Sequence, residues 1–281
     1  MIVHNDNFNI EQIADSGQCF RMNRLMEETK VIKYSLVAFG RYLELTQIAW
    51  NIVELSCSED EFHQIWEDYF DIQYDYNKLV SNLIQGDDQF LIEAAKFGRG
   101  IRILKQDPFE AMISFIISQN KNIPAIKNCI ELICERYGEK RVSNECGGKT
   151  YTTFPSPKAL AMASKEDLRL LKTGYRDDYI INASQSVHMG IINLKDLTCC
   201  SFEEAVLTLK KVKGIGEKVA NCIALYGLHR IEGFPVDVWI LRVLEEIYQN
   251  QFDQELYQGY AGIIQQYMFY YMRHLKGVRN K

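Results

Sequence analysis

LKKVKGIGEKVANCIALYGLHRIEGFPVDVW, residues Leu209 to Trp239, is the stretch whose reading decides how this chain folds. Gly214 and Gly216 frame a tight turn between two apolar helical stretches, Ser201 to Val212 and Glu217 to Leu228. Two residues without a Cβ let the backbone turn sharply and leave the N–H groups between them open to an anion such as a phosphate, so the turn reads as a backbone clamp for DNA. Lys218 falls in the first turn of the second helix, beside the positive end of its macrodipole. A lysine amine without its proton is a nucleophile; taken alone, a lysine at a helix start is a solvated surface residue. Asp237 stands 19 positions further on and heads the apolar-periodic run Val238 to Tyr248, where the bland reading is an ordinary N-cap.

Outward from the hairpin, apolar residues recur at three- and four-residue spacing from Tyr76 onward. They mark helices over Leu79 to Leu83, Phe109 to Ile117, Ile123 to Tyr137, Pro157 to Leu171 and Asp178 to Met189. Asp107 before Pro108 and Ser156 before Pro157 are N-caps with proline at the first helical position. Glu139 to Thr153, rich in Gly, Ser, Asn and Thr, reads as a loop. The beginning of the chain differs. Val31 to Val53 alternates apolar and polar side chains, with Gly40 and Arg41 as a turn, and predicts a small antiparallel sheet followed by a helix over Glu59 to Tyr69. The fold class is therefore α+β, with a small N-terminal antiparallel β-sheet domain over residues 1–78 and a larger all-helical domain over 79–281.

Composition bounds the function. With 47% hydrophobic and 12% aromatic residues the chain builds full cores. It has no apolar run of membrane-spanning length and no basic-then-apolar N-terminal signal, so an intracellular protein is expected. The eight cysteines lack the paired spacing of a zinc site, and reduced thiols are expected. The net charge of −5 argues against nucleic acid as a partner. Acidic residues nevertheless concentrate in Glu59 to Asp75, whereas Lys210, Lys211, Lys213 and Lys218 cluster at the hairpin and Arg273, Lys276, Arg279 and Lys281 near the C-terminus. Local field outweighs net charge.

GIGEKVANC and FPVDVW resemble, in type and spacing, the helix-hairpin-helix DNA glycosylases. In that family a Gly/Pro-rich loop and a required aspartate follow the hairpin, and a hairpin lysine marks the glycosylase/lyase members. The resemblance implies that Lys218 attacks C1′ of a damaged nucleotide and that Asp237 supports the attack. It extends to DPFEAMISFIISQNKNI, Asp107 to Ile123, where Asn120 would fill the gap left by an extruded nucleotide; a Gln/Asn cluster is otherwise a helix end or turn. In FPSPKALAMASKEDLRLLKTGYRDDYI, Phe154 to Ile180, Tyr175 would wedge between bases and Arg176 donate to the opposite cytosine. The bland alternative makes Gly174 a helix C′ residue and lets Tyr175 pack locally.

SGQCFR, Ser16 to Arg21, resembles the GQ-aromatic-Arg motif of 8-oxoguanine DNA glycosylases of the eukaryotic type, a subfamily that also has an N-terminal sheet domain. The lesion carries a hydrogen on N7 where guanine has a lone pair, so a carbonyl against N7 accepts from one and repels the other. Gly17 matches the residue that supplies this carbonyl. YAGIIQQYMFYYMR, Tyr260 to Arg273, matches the segment in which a glutamine, here Gln265, meets the Watson–Crick edge and a phenylalanine, here Phe269, stacks on the flipped base. These two stand four apart on one helix face, as do Lys218 and Cys222, which places a stacking thiol beside the nucleophile.

Two positions depart from the family. Ala125 stands where those enzymes place an arginine that reads the estranged cytosine, and Trp239 where they have a histidine near a phosphate. The implied activity is excision of 8-oxoguanine from double-stranded DNA with associated β-lyase chemistry and relaxed opposite-base preference, by a monomer without a membrane partner. It needs no metal or organic cofactor for chemistry, though a structural monovalent or divalent cation at the hairpin fits the pattern. A glycosylase for an alkylated purine and a non-catalytic DNA-binding module are the alternatives.

Overall fold

Phe39 and Gly40 both take positive φ, 49° and 69°, the left-handed pair that a two-residue type I′ hairpin requires. They join strands β3 (Ile32–Ala38) and β4 (Arg41–Ala49) with Ala38 opposite Arg41. Arg41 is thus the first strand residue, and the turn lies one position earlier than Gly40–Arg41, because the twist of the flanking strands selects a loop with both central residues left-handed. The computed structural model describes residues 1–25 and 31–277. Strands β1 (Ile2–His4), β2 (Met22–Arg24) and β5 (Ile52–Leu55) complete an antiparallel sheet of order β1-β5-β4-β3-β2. Its inward side chains, Leu36, Leu43, Leu45 and Val53, are fully buried with Ile10, Ile13, Trp66 and Phe70 from the short helices that cover it. Burial of each such side chain contributes roughly 1.5–3 kcal/mol.

A second core is built mainly from helices from Tyr76 onward, with Phe20 packed into it from the N-terminal region. The expected helices form, with caps where the sequence places them: Asp107 accepts from the Phe109 and Glu110 amides at 3.0 and 2.8 Å, and Ser156 from Ala159 at 3.2 Å. Three readings are corrected. Pro157 to Leu171 is two helices, Pro157–Ala161 and Lys165–Leu170, because Ser164 caps the second through the Asp167 amide at 3.1 Å. The helix end there is made by Lys172, at φ 65°, and Gly174 instead opens a 3-10 turn. Glu139 to Thr153 is not a plain loop: strands β6 (Lys140–Ser143) and β7 (Lys149–Thr152) pair across a turn in which Gly147 and Gly148 take φ 65° and 76°. This hairpin interrupts an otherwise helical region. It leans on the first sheet, with the Tyr151 hydroxyl donating to the Gly40 carbonyl at 3.0 Å. A helix over Gln89–Phe97, capped by Asp88, adds an element that the sequence periodicity left unread.

Among the described residues no helix is long and apolar enough to cross a membrane. All eight cysteines are free.

Candidate active site

The hairpin follows from one glycine more than from two. Gly214 has φ 91°, and a Cβ there would stand 2.3 Å from Cγ of Tyr179, so both backbone conformation and packing demand glycine. Gly216 is extended, at φ −89° and ψ −175°, and a Cβ would meet nothing within 4 Å. It is the N-cap of the Glu217–Tyr226 helix and supplies no side-chain cap, which leaves that helix N-terminus open. The hairpin lysines are tied down locally: Lys210 pairs with Glu217, and Lys213 and Lys165 share the carboxylate of Asp178 at 2.6 Å each. Asp178 is consequently lowered to about 2, chiefly by the bonds from those two lysines.

Beside the hairpin lies a cavity of about 860 Å³. It gathers Gly17, Asn120, Gly216, Lys218, Cys222, Asp237, Gln265 and Phe269, eight positions from five separate stretches of sequence, and leaves Gly214, Tyr175 and Arg176 outside its lining. Lys218 is half-buried, with its Nζ 5.7 Å from the ring centre of Phe115. Phe115 in turn stacks on Tyr226 at 5.2 Å and meets the edge of Phe20. One turn on, the buried Cys222 thiol is pushed up by desolvation, with the Lys218 charge opposing.

Asp237 is both an N-cap and a cavity residue. Its Oδ1 accepts from the amides of Trp239 and Ile240 at 3.0 Å each, opening the Val238–Arg242 helix. Burial pushes its carboxyl above the usual range, and the two amides, Lys218 and Arg273 pull the other way.

The opposite wall is the Ala261–Leu275 helix facing the Ser16–Gly17 turn. Gln265 is buried, its Nε2 donating to the Pro235 carbonyl at 3.0 Å, so the amide is held in a fixed orientation. Gly17 has φ 78°, and none of the described residues donates to its carbonyl. The turn is pinned by residues that sequence reasoning missed. Gln266 donates to the Ser16 carbonyl at 2.8 Å and accepts from the Tyr226 hydroxyl at 2.6 Å. Gln18 donates to the Arg102 carbonyl and accepts from the Leu104 amide, both at 2.8 Å. The QQ pair in Tyr260 to Arg273 was the available signal, since one glutamine facing a ligand leaves its neighbour facing the core. Arg273, counted by sequence with the basic C-terminal cluster, is corrected to a cavity residue only 5% exposed. Arg279 and Lys281 lie outside the described residues.

Asn120 has φ 50° in the connection between the Pro108–Ser118 and Ile123–Tyr137 helices, and its Nδ2 donates to the half-exposed Tyr175 hydroxyl at 3.2 Å. Arg176 is buried beneath this pair. Its guanidinium lies 4.3 Å from the Tyr175 ring centre and donates to the carbonyls of Thr173, at 3.1 Å, and Gln119. Ala125 sits in the first turn of the Ile123–Tyr137 helix, its amide capped by Asn122 at 2.9 Å. Trp239 lines the cavity with the Arg242 guanidinium 4.8 Å from its ring centre. Among the described residues no group of three or more His, Cys, Asp or Glu could hold a metal ion.

A hairpin with an open helix N-terminus, followed by a lysine and a capping aspartate that share a deep cavity, defines a class of DNA base-excision folds. The sequence comparisons place the chain within it. Residues 1–112 match the 8-oxoguanine DNA glycosylase N-terminal domain, and residues 113–258 match the HhH-GPD superfamily base excision DNA repair protein. The chain belongs to the HhH-GPD superfamily of base excision DNA repair proteins. It is 30% identical over 232 residues to a probable N-glycosylase/DNA lyase of Methanothermobacter thermautotrophicus, covering 73% of this chain and 72% of that one. Among solved structures, a Clostridium acetobutylicum 8-oxoguanine glycosylase/lyase in complex with double-stranded DNA containing cytosine opposite the lesion superposes with a TM-score of 0.88, 34% identity and coverage of 96% and 93%. MBOgg1 in complex with a low-affinity DNA ligand gives 0.89, 37%, 98% and 96%.

Proposed function

We propose that this chain is a bifunctional DNA glycosylase/AP lyase that excises 8-oxoguanine from duplex DNA, acting as a monomer. The observation that carries the reading is the shared cavity: a lysine and a helix-capping aspartate line the same space as an aromatic ring and a glycine to whose carbonyl none of the described residues donates. Asn120 occupies the position of the flipped nucleotide, with Tyr175 beside it as a wedge, while the open N-terminus at Gly216 and the Gly214 turn take the backbone phosphates. The extruded base lies between Phe269 and Cys222, with Gln265 on its Watson–Crick edge and the Gly17 carbonyl accepting from N7–H.

The neutral amine of Lys218 adds to C1′ as the glycosidic bond breaks, and the bond's electron pair leaves with the base, which takes up a proton. Asp237, anionic at its helix N-terminus, stabilises positive charge building on the sugar. Ring opening gives an imine to Lys218. Loss of the acidified C2′ proton then expels the 3′ phosphate, and hydrolysis of the imine frees the lysine. Side chains supply all of this chemistry; a structural monovalent or divalent cation on the hairpin backbone belongs to the same reading. Ala125 leaves cytosine readout incomplete, so excision extends to lesions opposite other bases.

Borohydride trapping on duplexes holding one 8-oxoguanine tests the reading, because it reports lesion choice and covalent lysine chemistry together. A trapped complex with the native chain, lost in Lys218→Gln while lesion binding persists, is the expected result. Trapping on an alkylated purine in place of 8-oxoguanine would reassign the lesion. Binding with neither trapping nor base release on any duplex would make the chain a non-catalytic module.

A further inference from the structure

The Ala261–Leu275 helix carries a buried guanidinium into the cavity four residues after Phe269. Arg273 lies with its guanidinium carbon 5.2 Å from the centre of the Phe269 ring, and its Nη1 donates at 2.9 Å to the carbonyl of Asp15, two residues before Gly17. The position a Gly17 Cβ would take is 3.3 Å from Cε1 of the same ring. One side chain therefore braces both the Phe269 ring and the turn that carries the Gly17 carbonyl.

Its charge has a second consequence. The groups facing Asp237 are Lys218, Cys222 and Tyr226 from the Glu217–Tyr226 helix, the Trp239 and Ile240 amides of its own helix, and Arg273 from the Ala261–Leu275 helix. Two of these carry positive charge. Lys218 must give up its proton to act as a nucleophile, and at that moment its support of an anionic Asp237 disappears. A guanidinium keeps its proton throughout.

We propose that Arg273 is a positioning residue: bonded to the Asp15 carbonyl and set against the Phe269 ring, it holds the stacking ring and the Gly17 turn in place and remains the cation facing Asp237 when Lys218 is neutral. This rests on the activity proposed above. Arg273 acts through Phe269, the Gly17 turn and Asp237, and makes no bond to the reacting atoms.

Arg273→Gln keeps a donor for the Asp15 carbonyl and removes the charge; Arg273→Lys keeps the charge and removes the planar fork. Single-turnover excision of 8-oxoguanine against pH is the first measurement. Arg273→Gln should move the acid limb upward, the direction that follows from losing a positive charge facing a carboxylate, and Arg273→Lys should restore it. Arg273→Gln should bind the lesion duplex roughly 2- to 30-fold more weakly, the range of one cation–π contact, and Arg273→Lys, which keeps a cation, should lose less. The second measurement needs no substrate: a carboxyl ¹³C titration of Asp237 in the free full-length protein, its resonance identified by its loss in Asp237→Asn. The midpoint should rise in Arg273→Gln and not in Arg273→Lys. Unchanged midpoints and lesion affinities in both variants would overturn the proposal. A native chain that excises nothing from the lesion duplex would instead overturn the activity, while the titration would still decide whether Arg273 acts on Asp237.

Discussion

Gly17 and Phe269 stand wall to wall across 252 residues of sequence: a β-carbon on Gly17 would lie 3.3 Å from Cε1 and 3.4 Å from Cζ of the Phe269 ring, and 3.4 Å from Cδ1 of Ile123. Since φ at Gly17 is 78°, alanine is also strained there by its backbone. Gly17→Ala should therefore displace the ring as well as the carbonyl. It is expected to reduce binding of an 8-oxoguanine duplex more than binding of an abasic-site duplex, and Phe269→Ala should show the same asymmetry, with loss of stacking worth roughly 1–3 kcal/mol. Equal losses on both duplexes in a fluorescence titration would make Gly17 a turn residue only.

The two hairpin glycines should separate experimentally. Gly214→Ala drives a Cβ into Tyr179 and strains the turn, so Tm should fall clearly. Gly216→Ser fits the extended backbone and open space, and adds a side-chain cap worth a few tenths of a kcal/mol. Its Tm should be unchanged or raised while DNA affinity falls, because the serine oxygen then competes for the amides left open to a phosphate. Calorimetry with a DNA titration checks both halves; undiminished DNA binding by Gly216→Ser would remove the anion role from that turn.

Asp237→Asn retains an oxygen for the Trp239 and Ile240 amides and loses the charge. Stability should change little, whereas single-turnover excision should drop by about 10²-fold or more, as expected for loss of an electrostatic stabiliser. Asp237→Ala should lose, in addition, about 1 kcal/mol of capping. A thermal melt of the asparagine variant that matched the alanine variant would assign the activity loss to a disordered helix start.

Glu110, buried beside Arg21, is raised from 4.5 to about 8 by desolvation, with Arg21 opposing. A carboxyl that holds its proton more tightly when folded contributes stability that is complete below its unfolded value and is lost as pH rises through the folded one. The Glu110 contribution should therefore decline from about pH 4.5 to about pH 8. Glu110→Gln should flatten that part of the Tm-against-pH curve and gain on the native protein toward pH 8; parallel curves would show that Glu110 does not titrate there.

Opposite-base choice should be relaxed. A bidentate contact is worth about 1–3 kcal/mol of discrimination, and Ala125 provides none, while the Arg176 guanidinium is engaged with the Thr173 and Gln119 carbonyls. Excision opposite A, G and T should be measurable in single-turnover assays on four duplexes. Ala125→Arg should restore part of the preference for cytosine by slowing the other three; a native enzyme already strict for cytosine would show that this face is not read there.

What the sequence determined by itself is what a few adjacent residues decide. Asp107–Pro108 and Ser156–Pro157 start helices because the cap oxygen and the amides it accepts from lie within one turn, and Gly214 turns because its own φ is left-handed. Lys218 with Cys222, and Gln265 with Phe269, share helix faces because 3.6 residues make a turn. Tertiary structure alone decided the rest. Gln266 reaches the Ser16 carbonyl across 250 residues, Arg273 turns into the cavity instead of out to solvent, Arg176 lies under the Asn120 connection, and Gly147–Gly148 closes a strand pair that its polar composition disguised. Each of these depends on where two elements dock, and docking is fixed by burying whole apolar faces together. No short stretch of sequence carries that information.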